Sequence, residues 1–285
     1  KSSLKNNLDG NRNIALGTDS MKMNMNGHNN VSIGHSSMIL NISGENNIGI
    51  GTNSMKDNIS GSNNIGLGPN SLNNNKFGIN NIGIGTNNLK SNLSGKRNIG
   101  IGINSLKNNK VGNDNIGLGQ SSLRDNNGIN NIGIGSYSLL VNKSGINNMG
   151  IGYRVLESNI SGSNNLGLGF NSLLNNISGS ENIVLGNSSL VNNSGNNSNI
   201  AIGNEINISG NNSIGMGNNT FVEGDNNCVI GSKNDPYYLG INQENPNYVL
   251  DVNGIINTNS DLHVSKNVGI GTTSPQYTLD VKGDI

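Results

Sequence analysis

Apolar residues recur along this chain in one short phrase, Asn-apolar-x-apolar-Gly, at nearly constant spacing. We call the first apolar residue of each phrase the anchor. The anchors are Ile14, Val31, Ile48, Ile65, Ile82, Ile99, Ile116, Ile132, Met149, Leu166, Ile183, Ile200, Ile214 and Cys228. Six steps of 17 residues are followed by one of 16, four of 17 and two of 14. A sustained period of this kind is typical of repeat architectures and predicts one structural unit per repeat.

Each phrase predicts a short β-strand, because alternate residues of a strand point to the same face. The two apolar side chains of a phrase should therefore share one face, which we expect to be the core. The best examples of these core and anchor residues are Ile48, Ile50, Ile65, Leu67, Ile82, Ile84, Ile99 and Ile101. The residue between them should face the other way, and Gly there allows another backbone to approach closely. The close-packing glycines of the same four phrases are Gly49, Gly66, Gly83 and Gly100.

Polar and small residues fill the rest of each repeat at fixed places. Ser-Leu or a close variant lies six and seven residues after the anchor, Asn lies ten after it, and Gly thirteen. Asn and Gly tolerate the positive φ of tight corners, and their density excludes a helix. Each repeat is predicted as strand, corner, short second strand and corner, which is one coil of an all-β parallel solenoid. The Asn residues should stack as a hydrogen-bonded ladder, and fourteen coils should extend about 65 Å.

Composition supports a repeat protein over an ordinary globular domain. The 285 residues include 42 Gly, nearly a quarter are Asn, and aromatic residues make up 3%. Such a polar chain would suggest disorder, but disordered tracts do not keep Ile in step over two hundred residues. Cys228 is the one cysteine, which excludes an internal disulfide, and no apolar run reaches the length of a membrane span. Because the chain starts in mid-repeat, at Lys1, we expect a fragment of a longer polypeptide.

A single chain of such coils should not be stable alone. Each coil buries only about three apolar side chains, whereas about 17 residues lose conformational freedom. We therefore expect an obligate oligomer in which the glycine-lined face packs against sister chains.

The period stops after Gly231, and a different repeat follows. The segment "LGINQENPNYVLDVNGII" at 239–256 matches "VGIGTTSPQYTLDVKGDI" at 268–285, with an offset of 29 residues. The alternating Tyr-x-Leu-Asp-Val predicts a strand that ends in a Gly turn. We predict two domains, a repeat solenoid over 1–231 and a β-rich neck over 232–285.

These phrases resemble two related groups of proteins. The 14-residue steps in "SNIAIGNEINISGNNSIGMG" (198–217) resemble the YadA-like head repeats of bacterial trimeric autotransporter adhesins. The longer phrase, followed by the LDV-G segments, resembles the shafts of phage and giant-virus tail or surface fibres, where such segments precede an endosialidase-type intramolecular chaperone. Both resemblances imply a left-handed β-roll wrapped into a homotrimer.

The LDV-G pair, and the lack of heptads after the solenoid, favour the viral group. The resemblance implies a structural, non-catalytic fibre at the virion surface, outside the cell, which serves in host attachment. The alternative is the head of a bacterial trimeric autotransporter adhesin. An enzyme-bearing tailspike is disfavoured because each coil has few carboxylates from which to build an acid–base pair.

No motif in the chain predicts catalysis or a cofactor. The Gly-x-Gly of Gly49-Ile50-Gly51 lacks the third Gly and the helix of a dinucleotide site, and it recurs in most coils. Calcium-binding solenoids carry an Asp in each coil where this chain has Asn or Ser. His28, His35 and His263 lack a matching nucleophile, and Cys228 should be a small buried residue in an anchor place. We therefore expect no enzyme activity, no cofactor and no metal.

Asn-x-Ser sequons recur ten residues after the anchor. They make six asparagines candidates for carrying glycans in an extracellular protein: Asn41, Asn58, Asn92, Asn142, Asn159 and Asn176. The other interpretation, which we favour, is a turn that prefers Asn and Ser for local hydrogen bonding.

Charge is uneven along the chain although its net value is zero. Residues 1–124 carry 12 Lys or Arg and 5 Asp or Glu, a net charge of +7, and residues 125–285 carry the reverse, −7. The basic half could attract a host glycan or another anionic surface, or the asymmetry could be neutral drift on a solvated face. Tyr137, Tyr153 and Phe170 could form an aromatic ledge for sugars, or pack a corner. We expect neither nucleic acid nor membrane insertion for this fragment.

Overall fold

The computed structural model describes residues 2–232 and four further strands between 239 and 281. Within these residues it is all-β, with no helix. Fourteen strands stack into one parallel sheet in chain order, so that consecutive repeats are neighbours and the chain forms a parallel β-solenoid of about 13 turns. The predicted fold class is confirmed at this level.

The strands of the solenoid are short and begin at the anchors. Those of the main sheet are β1 (Ile14–Leu16), β2 (Val31–Ile33), β3 (Ile48–Ile50), β4 (Ile65–Leu67), β5 (Ile82–Ile84), β6 (Ile99–Ile101), β7 (Ile116–Leu118), β8 (Ile132–Ile134), β9 (Met149–Ile151), β10 (Leu166–Leu168), β11 (Ile183–Leu185), β12 (Ile200–Ile202), β14 (Ile214–Met216) and β16 (Cys228–Ile230). A second, two-stranded sheet contains β13 (Asn207–Ile208) and β15 (Phe221–Val222).

Pairing follows the repeat without slippage. Ile48 pairs with Ile65, Gly49 with Gly66 and Ile50 with Leu67, and the same relation holds at every step of the main sheet. The 16-residue step and the 14-residue steps keep this register, because the missing residues come from outside the strands. The strand phrase therefore sets the alignment, and the rest of the coil absorbs changes in length.

The apolar core is a single file of Leu and Met side chains, seven residues after each anchor. They are Met21, Met38, Met55, Leu72, Leu89, Leu106, Leu123, Leu139, Leu156, Leu173 and Leu190, and each is at most 3% exposed. All of them have φ between 46° and 53°, in the left-handed region. β-branched side chains are strongly disfavoured there. This explains why a chain so rich in Ile never places Ile or Val at this position.

The eight residues predicted as core lie on the outside of the coil, which corrects the prediction. Ile48, Ile65, Leu67, Ile82, Ile84 and Ile99 are partly exposed, and Ile50 and Ile101 are exposed, at 38% and 41%. The alternation is as predicted, but its inward side is the middle residue of each strand. The coil is too narrow for large side chains from the strand as well as from the Leu and Met file.

The four glycines predicted to receive a neighbouring chain face the interior of their own coil. A Cβ on Gly49 would lie 2.9 Å from Met38 Cγ, and a Cβ on Gly66 would lie 2.8 Å from Ser54 Oγ. Gly83 and Gly100 are enclosed in the same way by Ser71 and Asn88. The close approach is therefore to the chain's own core, and the outer face of the strand carries Ile instead.

The second strand predicted for every coil exists only in the 14-residue coils. In the 17-residue coils this side is a run of turns, because φ is positive both five and seven residues after the anchor. In the short coils the second kink is absent and the backbone extends as β13 and β15. Ile206, Ile208 and Val222 then form the core, since β-branched residues suit extended backbone.

Two ladders of buried Asn hold the coils together. The Asn ten residues after each anchor, from Asn7 to Asn193, donates from Nδ2 to Oδ1 of its counterpart in the preceding coil, over distances of 2.6–3.2 Å. We call this the inner ladder, and it confirms the predicted one. A second ladder lies one residue before each anchor. There a backbone N–H donates to Asn Oδ1 of the preceding coil, as from Asn64 to Asn47 at 3.0 Å.

The corner after each strand requires glycine. Gly51 has φ of 130°, and a Cβ there would lie 2.7 Å from the carbonyl oxygen of Gly68 in the next coil. A side chain at this place would be strained by the backbone angle and would also clash with neighbouring backbone.

Residues 237–285 form a separate compact unit. Two parallel pairs are described there: β17 (Leu239–Ile241) with β18 (Leu250–Val252), and β19 (Val268–Ile270) with β20 (Leu279–Val281). The pairs repeat at the 29-residue offset seen in the sequence, and both LDV segments are strands as predicted. The predicted Gly turns lie outside the described residues.

Candidate interaction surfaces

The outward Ile side chains join into one continuous apolar surface. We call it the outer stripe: the anchor and the second residue after it, in all fourteen strands of the main sheet. In-register pairing places each of these side chains directly beside its counterpart on the next coil. None of the strands of the main sheet buries them, and exposure reaches 59% at Ile14 and 65% at Leu16. The stripe has no polar interruption over about 60 Å of stacked strands.

Three aromatic residues meet on neighbouring coils, as the sequence suggested. The rings of Tyr153 and Phe170 are stacked with centroids 5.4 Å apart, and Tyr137 meets Tyr153 edge-on at 5.9 Å. Gln120 donates from Nε2 to the Tyr137 hydroxyl at 3.0 Å. Tyr153 and Phe170 are nearly half exposed. The rings therefore both pack a corner and present an aromatic surface, and sugar binding by this ledge stays a prediction.

The six sequon asparagines are members of the inner ladder. Asn41, Asn58, Asn92, Asn142, Asn159 and Asn176 have no exposed surface. In each, Nδ2 donates both to the preceding Asn and to a Gly carbonyl three residues ahead, for example Gly95 from Asn92 at 3.0 Å. A glycan on Nδ2 is incompatible with this fold, so the glycan expectation is corrected. The physical reason for Asn here is the ladder between coils.

The inner ladder ends where the coils shorten. Asn193 donates to Asn176 at 2.7 Å, but the next coil has only 14 residues and no Asn to continue the series. Its Oδ1 is buried without a partner among the described residues. A cavity of about 180 Å³ lies at this step, lined in part by Leu190, Glu205 and Ile208. The step is thus the least satisfied point of the interior.

Surface charges form four ion pairs among the described residues. Arg97 and Asp114 lie on neighbouring coils, with Nε and Oδ1 2.6 Å apart and a second bond at 2.7 Å from Nη2. These hydrogen bonds hold the pKa of the Asp114 carboxyl below its ordinary value. For Asp125, burial alone would raise the pKa, but hydrogen bonds from Arg124 and Asn108 outweigh it and leave the pKa lowered.

Neither the families of known proteins nor the curated proteins supply a match. No family model matches the chain. No curated protein is similar to it at a significant level. Inference about function therefore starts from the surfaces described above.

The described residues present few groups suited to chemistry. Within residues 2–232 and the four later strands, no three His, Cys, Asp or Glu residues are grouped to hold a metal ion. Cys228 is a free, exposed thiol at the end of the main sheet, so its predicted burial is wrong. The imidazole Nδ1 of His28 accepts from the Asn11 backbone N–H at 3.0 Å, His35 is exposed, and His263 lies outside the described residues. The same residues include no helix that could cross a bilayer.

Proposed function

We propose that this chain is a non-catalytic structural part of a viral tail or surface fibre. In this proposal three copies form a left-handed solenoid shaft or head on the virion, and the fibre holds an attachment end towards the host. The observation that carries the proposal is the outer stripe, because it calls for a partner along the whole solenoid. The resemblance of the strand phrase and the LDV-G segments to fibre shafts supports the viral assignment.

A parallel sheet with one bare apolar face is an incomplete structure. Parallel sheets occur almost entirely with both faces covered. Here the inner face is covered by the Leu and Met file, whereas the outer face carries two apolar side chains on every strand. At about 6.6 Å between alternate residues and about 60 Å along the stack, the stripe covers roughly 400 Å² even before side-chain width is added. That is at the level at which exposed apolar patches mark interfaces.

The partner that best fits the stripe is another copy of the same chain. A cover for fourteen strands must have the same rise per coil as the solenoid itself, and a second solenoid has it by construction. Parallel copies aligned in register would place Ile against Ile at every level, without a charged residue in the contact. The number three comes from the resemblance to fibre shafts and adhesin heads, both of which are trimers.

The alternative function is the head of a bacterial trimeric autotransporter adhesin. The two 14-residue coils favour it, since they contain the second strand, β13 or β15, that the longer coils lack. The complete gene discriminates between the two. A downstream chaperone module would support the viral fibre, and a coiled coil with a membrane anchor would support the adhesin.

The oligomer can be tested by measuring mass and shape in solution. Light scattering should give about three times the chain mass of 29.8 kDa, and small-angle scattering should give an elongated particle. A folded monomer in dilute solution would overturn the proposal, because the outer stripe would then face water along its entire length.

A further inference from the structure

Six basic residues lie on one line along the solenoid. Eight residues after the anchor, the chain places Lys22, Lys56, Lys90, Lys107 and Arg124, and Lys5 holds the same place in the incomplete first coil. They are separated by 17 or 34 residues. We call these six residues the cationic column. It contains half of the 12 basic residues of 1–124.

Backbone hydrogen bonds show that the column is straight. The N–H of the residue after each column position donates to the column carbonyl of the next coil. Ser91 donates to Lys107 at 2.9 Å, and Asn108 donates to Arg124 at 2.8 Å. Lys90, Lys107 and Arg124 are therefore on three successive coils, about 4.8 Å apart at the backbone, and the whole column extends about 34 Å.

The column has fewer negative partners than positive charges. Asp19 pairs with Lys22 at 3.3 Å, and Asp125 pairs with Arg124 at 2.6 Å. Within the described residues, Lys56, Lys90 and Lys107 form no ion pair. Like charges opposite each other on neighbouring strands are unfavourable, so a file of them is more stable when an anion lies along it.

The boundaries of the column are sharp. After Arg124 the same position is occupied by Leu140 and then by Glu157, which pairs with Arg154 at 2.7 Å. Beside the column, a shallow depression of about 420 Å³ is lined by Lys110, Lys143 and Asp125 with two asparagines. The positive surface is therefore a narrow strip on one side of the first eight coils, and it ends where the net charge of the chain changes sign.

We propose that the cationic column binds a linear acidic polysaccharide laid along the solenoid. Positive charges repeat every one or two coils, at about 5 or 10 Å, which suits a single extended chain with carboxylate or sulfate groups at regular intervals. This inference gives the proposed attachment function its ligand class and rests on it.

Two other polyanions fit the column less well. The column positions include no aromatic side chain on which the bases of a single-stranded nucleic acid could stack. The phosphates of a DNA duplex wind around their axis and leave a straight single file after a few base pairs. The observations therefore favour a polysaccharide.

A paired set of variants tests the column. Lys90→Gln with Lys107→Gln removes two charges inside it, and Arg12→Gln with Lys96→Gln removes two charges elsewhere on the same basic half. Binding of the full chain to heparin, polygalacturonate, neutral dextran and a 30-residue oligothymidine should be measured by calorimetry over a salt series. Thermal unfolding by circular dichroism checks that each variant is folded.

The column variant should bind heparin or polygalacturonate at least tenfold more weakly than the wild type at low salt. Its slope of log affinity against log salt should be smaller by about 1.4–1.8, because two contacts are lost. The control variant should change affinity less than twofold, and dextran should not bind. Equal weakening in both variants would overturn the column as a site, and so would a wild-type chain that binds neither acidic polysaccharide. Tighter, column-dependent binding of oligothymidine would overturn the polysaccharide assignment.

Light scattering on the same samples separates this inference from the proposed function. A trimer that fails to bind either polysaccharide overturns the column proposal alone, and the fibre proposal stands. A folded monomer overturns the fibre proposal, whatever the column binds.

Discussion

The side-chain amide of Asn92 lies one coil away from that of Asn75, with Nδ2 and Oδ1 2.6 Å apart and neither side chain exposed. The same relation repeats from Asn7 to Asn193. The interior of this solenoid is therefore largely polar, and its stability depends on hydrogen bonds that each side chain makes to the coils above and below.

Breaking one rung of the inner ladder should be costly. In Asn92→Ala, Asn75 Oδ1 loses its donor in a site without water, which costs about 1–3 kcal/mol for that group alone. We expect a clear fall in melting temperature at fixed protein concentration. The matched control is Asn175→Ala, which removes an exposed amide pair of 3.0 Å to Asn192 and should change stability by less than about 0.5 kcal/mol. Equal effects of the two substitutions would contradict a structural role for the ladder.

The core position should distinguish between side chains of equal size. Leu89 is fully buried and has φ of 46°. Leu89→Ile keeps the volume but places a branched Cβ on a left-handed backbone, which we expect to cost about 1–3 kcal/mol. Leu89→Met, the residue found at this position in three other coils, should cost less than about 1.5 kcal/mol. Denaturant unfolding of the two variants measures the difference, and a more stable Ile variant would refute the strain argument.

A charge on the outer stripe should prevent assembly. Ile82→Asp places a carboxylate at an anchor, where a neighbouring copy would bury it without a partner at a cost of several kcal/mol. Light scattering should then report single chains or disordered aggregates. Ile103→Asp is the control, since Ile103 is 54% exposed but lies four residues after its anchor, off the stripe. If both variants keep the wild-type mass, the stripe is not the interface.

The pair of Arg97 and Asp114 should make a small contribution that depends on pH. Because the pKa of Asp114 is lower in the folded chain than in the unfolded one, the pair stabilises the fold above the unfolded value of about 3.9. This stability is lost as the pH falls through the folded pKa. Arg97→Gln should therefore lower the melting temperature at pH 6 and have little effect at pH 3. Salt at 1 M should reduce the difference at pH 6, since both groups are near the surface. An equal effect at both pH values would indicate a loss of packing instead.

The strand phrase was sufficient to predict the coil, the stacking and the exact start of each strand, because period 2 within a period of 17 leaves few alternatives. It could not tell which face of the strand turns inward. Ile48 and Gly49 alternate equally well with either face as core, and only the width of the coil decides. The absence of Ile and Val seven residues after the anchor was the available signal, since it marks a buried place with unusual backbone.

The surfaces were predicted less completely than the fold. The inner ladder was expected from Asn recurring ten residues after the anchor, yet the same residues were also considered as glycan carriers, because burial is not visible in a sequon. The cationic column escaped notice when charges were summed over halves of the chain. Lys90 and Lys107 stand out only when charges are sorted by their place in the 17-residue coil.

Each coil of this protein bonds only to the coil before it and the coil after it, and all 17-residue coils offer the same bonds at top and bottom. A duplication or loss of one such unit in the gene would thus leave every junction unchanged. Evolution could therefore set the reach of the molecule in steps of about 4.8 Å, like marks on a ruler, without redesigning any contact.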